Sequence, residues 1–215
     1  MSEEILRKYI QNGLIDAELN ELFGKYFQAQ IYAGSTIKHN QTPIKISIKV
    51  YNPQEAIGEN KFKLLQLQNM IGQRFDIPPN NIDIVFEKIA DRGLEPAYHA
   101  EQLRLAFLQN KPYKRVINSI IKSSRAAGAQ GVMIRVAGKL KGQRAKAIKY
   151  FDGYFIQSGM AAKDYVRSAK SQAKCKQGTI GVQVSVMLPY DPEGVVGSNT
   201  IISDRITIIE PKAFS

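Results

Sequence analysis

Residues 44–50 set Ile44, Ile46, Ile48 and Val50 against Lys45, Ser47 and Lys49. That period of two predicts a strand over 43–51 with one buried face. A strand over 29–38 precedes it, and His39-Asn40-Gln41-Thr42 makes the turn between them. His39 therefore reads as a turn residue rather than a ligand. Upstream, Ile5, Leu6, Tyr9, Ile10, Leu14, Ile15, Leu19, Leu22 and Phe23 recur at helical spacing, with an interruption expected at Asn12-Gly13. Asn52-Pro53 stops the second strand. A Gly-led turn at Gly58 then opens a helix carrying Phe62, Leu64, Leu65, Leu67, Met70, Ile71 and Phe75. Pro78-Pro79-Asn80-Asn81 breaks it, and Ile82, Ile84 and Phe86 predict a third strand.

The turn at Gly93 to Pro96 is the expected domain boundary. A helix over 97–109 follows. Pro112 suits the first position of the next helix, which carries Val116, Ile117, Ile120 and Ile121 and ends near Gly128. Strands are expected over 131–138 and 149–157, a helix over 161–175, and a strand over 179–188. The stretch from 191 to 215, with Pro192, Gly194, Gly197 and Pro211, reads as an irregular arm. The class is α+β with mixed sheets, divided into 1–95, 96–190 and the arm.

Composition narrows the chemistry. Apolar residues form 44% of the 215, enough for a core. One cysteine, Cys175, and two histidines, His39 and His99, exclude a disulfide scaffold and argue against metal chemistry. No cofactor is expected. No apolar run reaches the ~18 residues that span a bilayer, and Met1-Ser2-Glu3-Glu4 is acidic where a secretory signal is basic. A cytoplasmic setting without a membrane partner follows as the expectation.

Charge changes the picture most. The chain carries +11, but residues 111–176 alone hold sixteen Lys or Arg against Asp152 and Asp164, a net of +14. A solvated face normally mixes signs. A nearly acid-free stretch repels itself and attracts phosphate backbones through counterion release. The expected partner is a polyanion, nucleic acid first.

Four constellations carry that expectation. Gly58-Glu59-Asn60-Lys61 opens a helix, where backbone N–H groups and the helix dipole favour phosphate; it reads equally as an ordinary strand-to-helix turn. From Gly138 to Lys149 lie Lys139, Lys141, Arg144, Lys146 and Lys149, leaving an apolar strand for a short helical turn. Arginine there suits bidentate phosphate contact and the lysines act as point charges. It is no P-loop, because Gly131 lies seven residues before Gly138 and Leu140 replaces Ser or Thr. Arg115, Lys122 and Arg125 share much of one helix face, with Lys114 beside it, opposite Val116, Ile117, Ile120 and Ile121. Lys163, Arg167, Lys170 and Lys174 are spaced as a second helical stripe. Tyr113, Tyr150 and Tyr154 read as base-stacking or core residues. Catalysis finds no nucleophile elbow, carboxylate pair or ligand cluster. Asp152 reads as a counter-charge and Cys175 as a packed thiol, so no enzyme is expected.

These residues resemble a known family. Asp16-Ala17-Glu18-Leu19-Asn20-Glu21, Ala90-Asp91-Arg92-Gly93-Leu94, Ala137 through Lys146, Asp152-Gly153, Ser158-Gly159, Met187 through Pro192 and Ile209-Glu210-Pro211-Lys212 are similar to the small-subunit ribosomal protein S-three family of eukaryotic and archaeal type. The resemblance implies a type-two KH domain with its N-terminal helix over 1–95 and a C-terminal S-three domain over 96–190. It implies a structural constituent of the small (40S) subunit head that binds ribosomal RNA and lines the mRNA entry channel. Neighbouring head proteins are implied partners. Lys114 and Arg115 match positions that face incoming mRNA, and Lys139, Lys141, Arg144 and Lys146 match an RNA-contacting segment. The KH loop departs from the family pattern: Asn60 replaces a lysine, Lys61 the second glycine, and Phe62-Lys63 an arginine pair. The short tail after Pro211 implies fewer contacts with a β-propeller scaffold protein on the ribosome. Two alternatives stay open: a DNA-repair lyase-like enzyme, and a free KH-type mRNA-binding regulator.

Overall fold

The computed structural model describes residues 3–27, 31–140, 142–194, 196–202, 206 and 208–209. It has both helices and strands in an α+β arrangement and divides into two units, Met1–Gln102 and Leu103–Ser215.

In the first unit, α1 (Glu3–Tyr26) precedes β1 (Tyr32–Lys38) and β2 (Ile44–Val50). A short helix α2 (Pro53–Ile57), a tight turn, helix α3 (Phe62–Phe75) and β3 (Ile82–Lys88) complete it. The sheet order is β1-β2-β3, with β1 antiparallel and β3 parallel to β2. Parallel neighbours need a crossover of a dozen or more residues, and α2 with α3 supplies it. Ile46, Ile48 and Val50 meet Ile82 and Ile84 with Leu19, Phe23, Phe27, Leu67 and Ile71 in one core. The alternation in β2 therefore reports the buried face directly.

Two expectations change here. Helix α1 runs unbroken through Asn12-Gly13, because a single glycine costs a helix only about 1 kcal/mol and the following turns bury Leu19 and Phe23. The Gly58 turn joins helix to helix, since Pro53 starts α2 at a position where its missing N–H costs nothing.

The second unit takes the end of α4 (Pro96–Leu108), α5 (Tyr113–Ala126), β4 (Gly131–Gly138), β5 (Lys146–Gly153), α6 (Met160–Tyr165), β6 (Val166–Cys175) and β7 (Gly178–Met187). The dividing point falls inside α4, and the Gly93–Pro96 turn precedes that helix. The sheet is antiparallel, ordered β5-β4-β7-β6. Val132, Ile134 and Val136 of β4 share one face with Val182, Val184 and Val186 of β7, all buried. Helix α5 packs on β4 and buries Ile117, Ile120 and Ser124.

The helix expected over 161–175 is a single turn and a half, after which Val166–Cys175 is a strand. Ala169, Ser171, Ala173 and Cys175 turn inward while Lys170, Gln172 and Lys174 turn outward. This alternation of small and long side chains lets β6 pair along its whole length with β7 across a Lys176-Gln177 turn. Tertiary pairing outweighs the helix propensity of Ala and Lys. The stripe of Lys163, Arg167, Lys170 and Lys174 is accordingly not a helix face. β5 covers 146–153 rather than 149–157: Lys146 and Lys149 sit on an edge strand, where lysines are common. The basic turn before it is an irregular hairpin loop, not a helical one. Tyr190 bridges to Ser198 of the arm. Among the described residues no helix is long and apolar enough to cross a membrane.

Candidate nucleic-acid interface

The second unit has a charge axis along its strands. At the end where β4 starts, Asp152 pairs opposite Val132 and its carboxylate accepts a 2.8 Å hydrogen bond from Arg125 Nε. Asp164 lies at the same end, just before β6, within 3.5 Å of Thr200 Oγ1. Both acids of the basic stretch are thus at one end. Asp152 is the counter-charge expected of it, and Arg125 ties the last turn of α5 to β5.

The opposite end gathers three turns. The α4–α5 turn brings Lys111, the β4–β5 loop Lys139, and the β6–β7 turn Lys174 and Lys176. They line a cleft of about 360 Å³ with Phe107, Tyr113 and Leu140. Lys114 and Arg115 begin α5 at this end, exposed, as are Arg144 and Lys146 in and beside the hairpin loop. Lys122 is exposed further along α5, and Lys149 on β5. Among the described residues none of these cations has an ion pair with an acid. Lys141 lies outside the described residues. The sequence named Lys139 but not Lys111, Lys174 or Lys176 as its companions, because their proximity depends on turns far apart in the chain.

The aromatic residues here are structural. The Tyr113 ring stacks on Phe107 at 5.5 Å. Tyr150 sits on the helix-covered face opposite Ile134. Its hydroxyl is pushed above the ordinary tyrosine range by burial first, then by repulsion from and hydrogen bonding with Tyr113. Cys175 Sγ lies 3.9 Å from the Phe107 carbonyl, a packed thiol.

The Gly58 loop belongs to the first unit. Gly58 has φ +73°, and a Cβ there would lie 2.9 Å from Lys63 Cγ. Lys63 Nζ donates to the Glu55 carbonyl at 3.1 Å, so this exposed cation also closes α2. Asn60 and Lys61 both hold left-handed backbone (φ +51° and +62°), at roughly 1–2 kcal/mol for each non-glycine residue. The loop presents the exposed Lys61 and Phe62. His39 Nε2 lies 2.8 Å from Asp16 Oδ1, tying the β1–β2 turn to α1.

Residues 103–186 match the family model described as ribosomal protein S3, C-terminal domain. The small ribosomal subunit protein uS3 of Encephalitozoon cuniculi (strain GB-M1) is 46% identical over 210 residues, covering 98% of this chain and 97% of that protein. The chain belongs to the ribosomal protein S3 family. Members of the S3 family are structural proteins of the small ribosomal subunit rather than enzymes. The matched segment contains the hairpin loop, the start of α5 and the sheet, so the basic end of the second unit lies wholly inside family sequence.

Proposed function

We propose that this chain binds ribosomal RNA in the head of the small subunit through the acid-poor end of its second unit, as a resident of cytoplasmic ribosomes. One observation carries the reading. Lys111, Lys139, Lys174 and Lys176 converge from three separate turns, with Lys114, Arg115, Arg144 and Lys146 exposed on the same segments. Cations brought together against their own repulsion, without acids to offset them, gain free energy only from a bound polyanion.

Within that reading, residues 1–95 act as a type-two KH domain, 96–190 as the C-terminal S3 domain and 191–215 as an arm that contacts neighbouring head proteins. The helix–turn–helix at Gly58 supports the KH assignment, its glycine sitting where a backbone can approach a phosphate. Lys61 is then the loop's cation with no hydrogen bond to α2, whereas Lys63 is engaged by the Glu55 carbonyl. Lys114 and Arg115 face mRNA at the entry channel, with Lys122 along the same helix face. A β-propeller scaffold protein is a further partner of the arm.

The test is a charge reversal. Arg144→Glu with Lys146→Glu lowers the share of chain that co-sediments with small subunits in gradients. It also lowers the salt slope of binding to a small-subunit rRNA fragment by about 1.8, at ~0.9 per lost phosphate contact. Incorporation equal to that of the unaltered chain refutes the reading.

A further inference from the structure

Register places a second cationic feature on the face of the sheet that α5 does not cover. Residues directly opposite across antiparallel strands share a face. Lys149 of β5 lies opposite Arg135 of β4, Arg135 opposite Gln183 of β7, and Gln183 opposite Lys170 of β6. The four form one row across the whole sheet, about 14 Å long at ~4.8 Å per strand. The flanking row on one side is small, with Ala137 and Gly181. Together they make a shallow groove of about 500 Å³ lined by Arg135, Lys170, Gln172 and Gln183. The flanking row on the other side brings Phe151 opposite Met133, and Phe151 is 56% exposed. The strand alternation puts no Asp or Glu on this face.

Edge protection accounts for part of this. Lysines on β5 and β6, the two outer strands, discourage pairing with other chains. Arg135 has no such reason to be there. It sits on β4, hydrogen-bonded on both sides, exposed and without an ion pair among the described residues. An exposed phenylalanine next to it does not serve solubility. Cations beside an exposed aromatic ring on a four-stranded sheet are the combination that stacks bases and holds phosphates of single-stranded RNA. A duplex has no free base to give Phe151.

We propose that the open face of the β5-β4-β7-β6 sheet binds single-stranded RNA, with Phe151 stacking a base and Lys149, Arg135 and Lys170 holding its phosphates. This rests on the reading that the chain is an RNA binder, and adds a surface distinct from the loops at the basic end.

The experiment titrates the full chain with a fluorescent oligouridylate of ~12 nucleotides, within the span of single-strand sites, and with an RNA hairpin of equal length. Phe151→Ala weakens oligouridylate binding about 5- to 100-fold with the salt slope unchanged, and Phe151→Tyr restores it. Arg135→Gln with Lys149→Gln and Lys170→Gln lowers the slope by about 2, at ~0.7 per single-strand phosphate, while Arg135→Lys keeps it. Thermal melting of each variant confirms a folded chain. Unchanged affinity and slope overturn the proposal, as does equal loss on the hairpin with no effect of Phe151→Ala. The Arg144→Glu/Lys146→Glu variant runs in parallel. A defect there with normal sheet variants overturns this inference alone, and a defect in none overturns the RNA reading as well.

Discussion

Helix α5 carries four exposed cations, and the structure separates them into two kinds. Arg125 is held by Asp152 at 2.8 Å, with the two side chains 50% and 38% exposed. Lys114 and Arg115, three turns earlier, have no acidic partner among the described residues. On the proposed function, replacing Lys114 and Arg115 together by Ala removes two phosphate contacts to mRNA. The slope of log affinity against log salt then falls by about 1.4, while stability stays within about 0.5 kcal/mol, as for other exposed positions. Arg125→Ala does the reverse. It loses a half-exposed, screened ion pair worth about 0.2–1 kcal/mol, and its slope barely moves because Asp152 already offsets that charge. Adding Asp152→Ala to Arg125→Ala closes a double-mutant cycle that isolates the pair. The assays are filter binding to a single-stranded mRNA segment over a salt series and chemical denaturation of the same samples. If Arg125→Ala lowers the slope as much as Lys114→Ala with Arg115→Ala, the division of α5 into a tether and a contact end is wrong.

Two further outcomes follow from packing and burial. At Gly131 a Cβ would fall 1.9 Å from the Tyr154 carbonyl oxygen, so Gly131→Ala pushes apart the strand ends joined by Tyr154 N–H to Gln130 and Gln130 N–H to Met187. Two hydrogen bonds at ~1 kcal/mol each with about 1–3 kcal/mol of overpacking predict a loss of roughly 3–5 kcal/mol in urea denaturation, and a loss under about 1 would contradict the close approach. His99 is buried and its Nε2 lies 3.0 Å from the Gly93 carbonyl. Burial holds the imidazole below its ordinary range, with hydrogen bonds to Gly93 and Gln102 opposing. The unfolded chain then takes up the proton first as pH drops through ~6.5, so stability falls below that pH, down to the folded-state value. His99→Gln flattens this dependence between pH 7.5 and 5.5, and an equal pH slope in both proteins would exclude His99 as its source.

Period-two alternation was legible wherever one face of a strand is apolar, as in Ile44–Val50 and Ile180–Val186. It was hidden in β6, where the inward residues are Ala, Ser and Cys and the outward lysines fall by chance three to four apart. Small inward residues give little hydrophobic contrast, so charge spacing is the stronger pattern in that stretch. Arg135 is illegible for a related reason: one cation in an apolar strand carries no pattern until register sets it in one row with Lys149 and Lys170. The hairpin loop and the start of α5 were legible because their cations are adjacent in sequence. Lys111, Lys174 and Lys176 were not, since the two turns that carry them meet only in the fold.

The position of the two acids decides how strongly the basic end depends on a partner. Asp152 lies at the level of Val132, six residues along β4 from Gly138, or about 20 Å at ~3.3 Å per residue. The screening length at physiological salt is about 8 Å. A carboxylate that far away does nothing for Lys139 or Arg144, and it is already engaged with Arg125. The folded second unit therefore cannot neutralise its own basic end by rearranging side chains on the sheet. Salt relieves the repulsion weakly and without specificity, whereas a phosphate backbone supplies closely spaced negative charge and releases counterions on binding. The free chain is thus expected to gain more stability from RNA than from added monovalent salt, and the gain originates at the hairpin turns, where no acid competes.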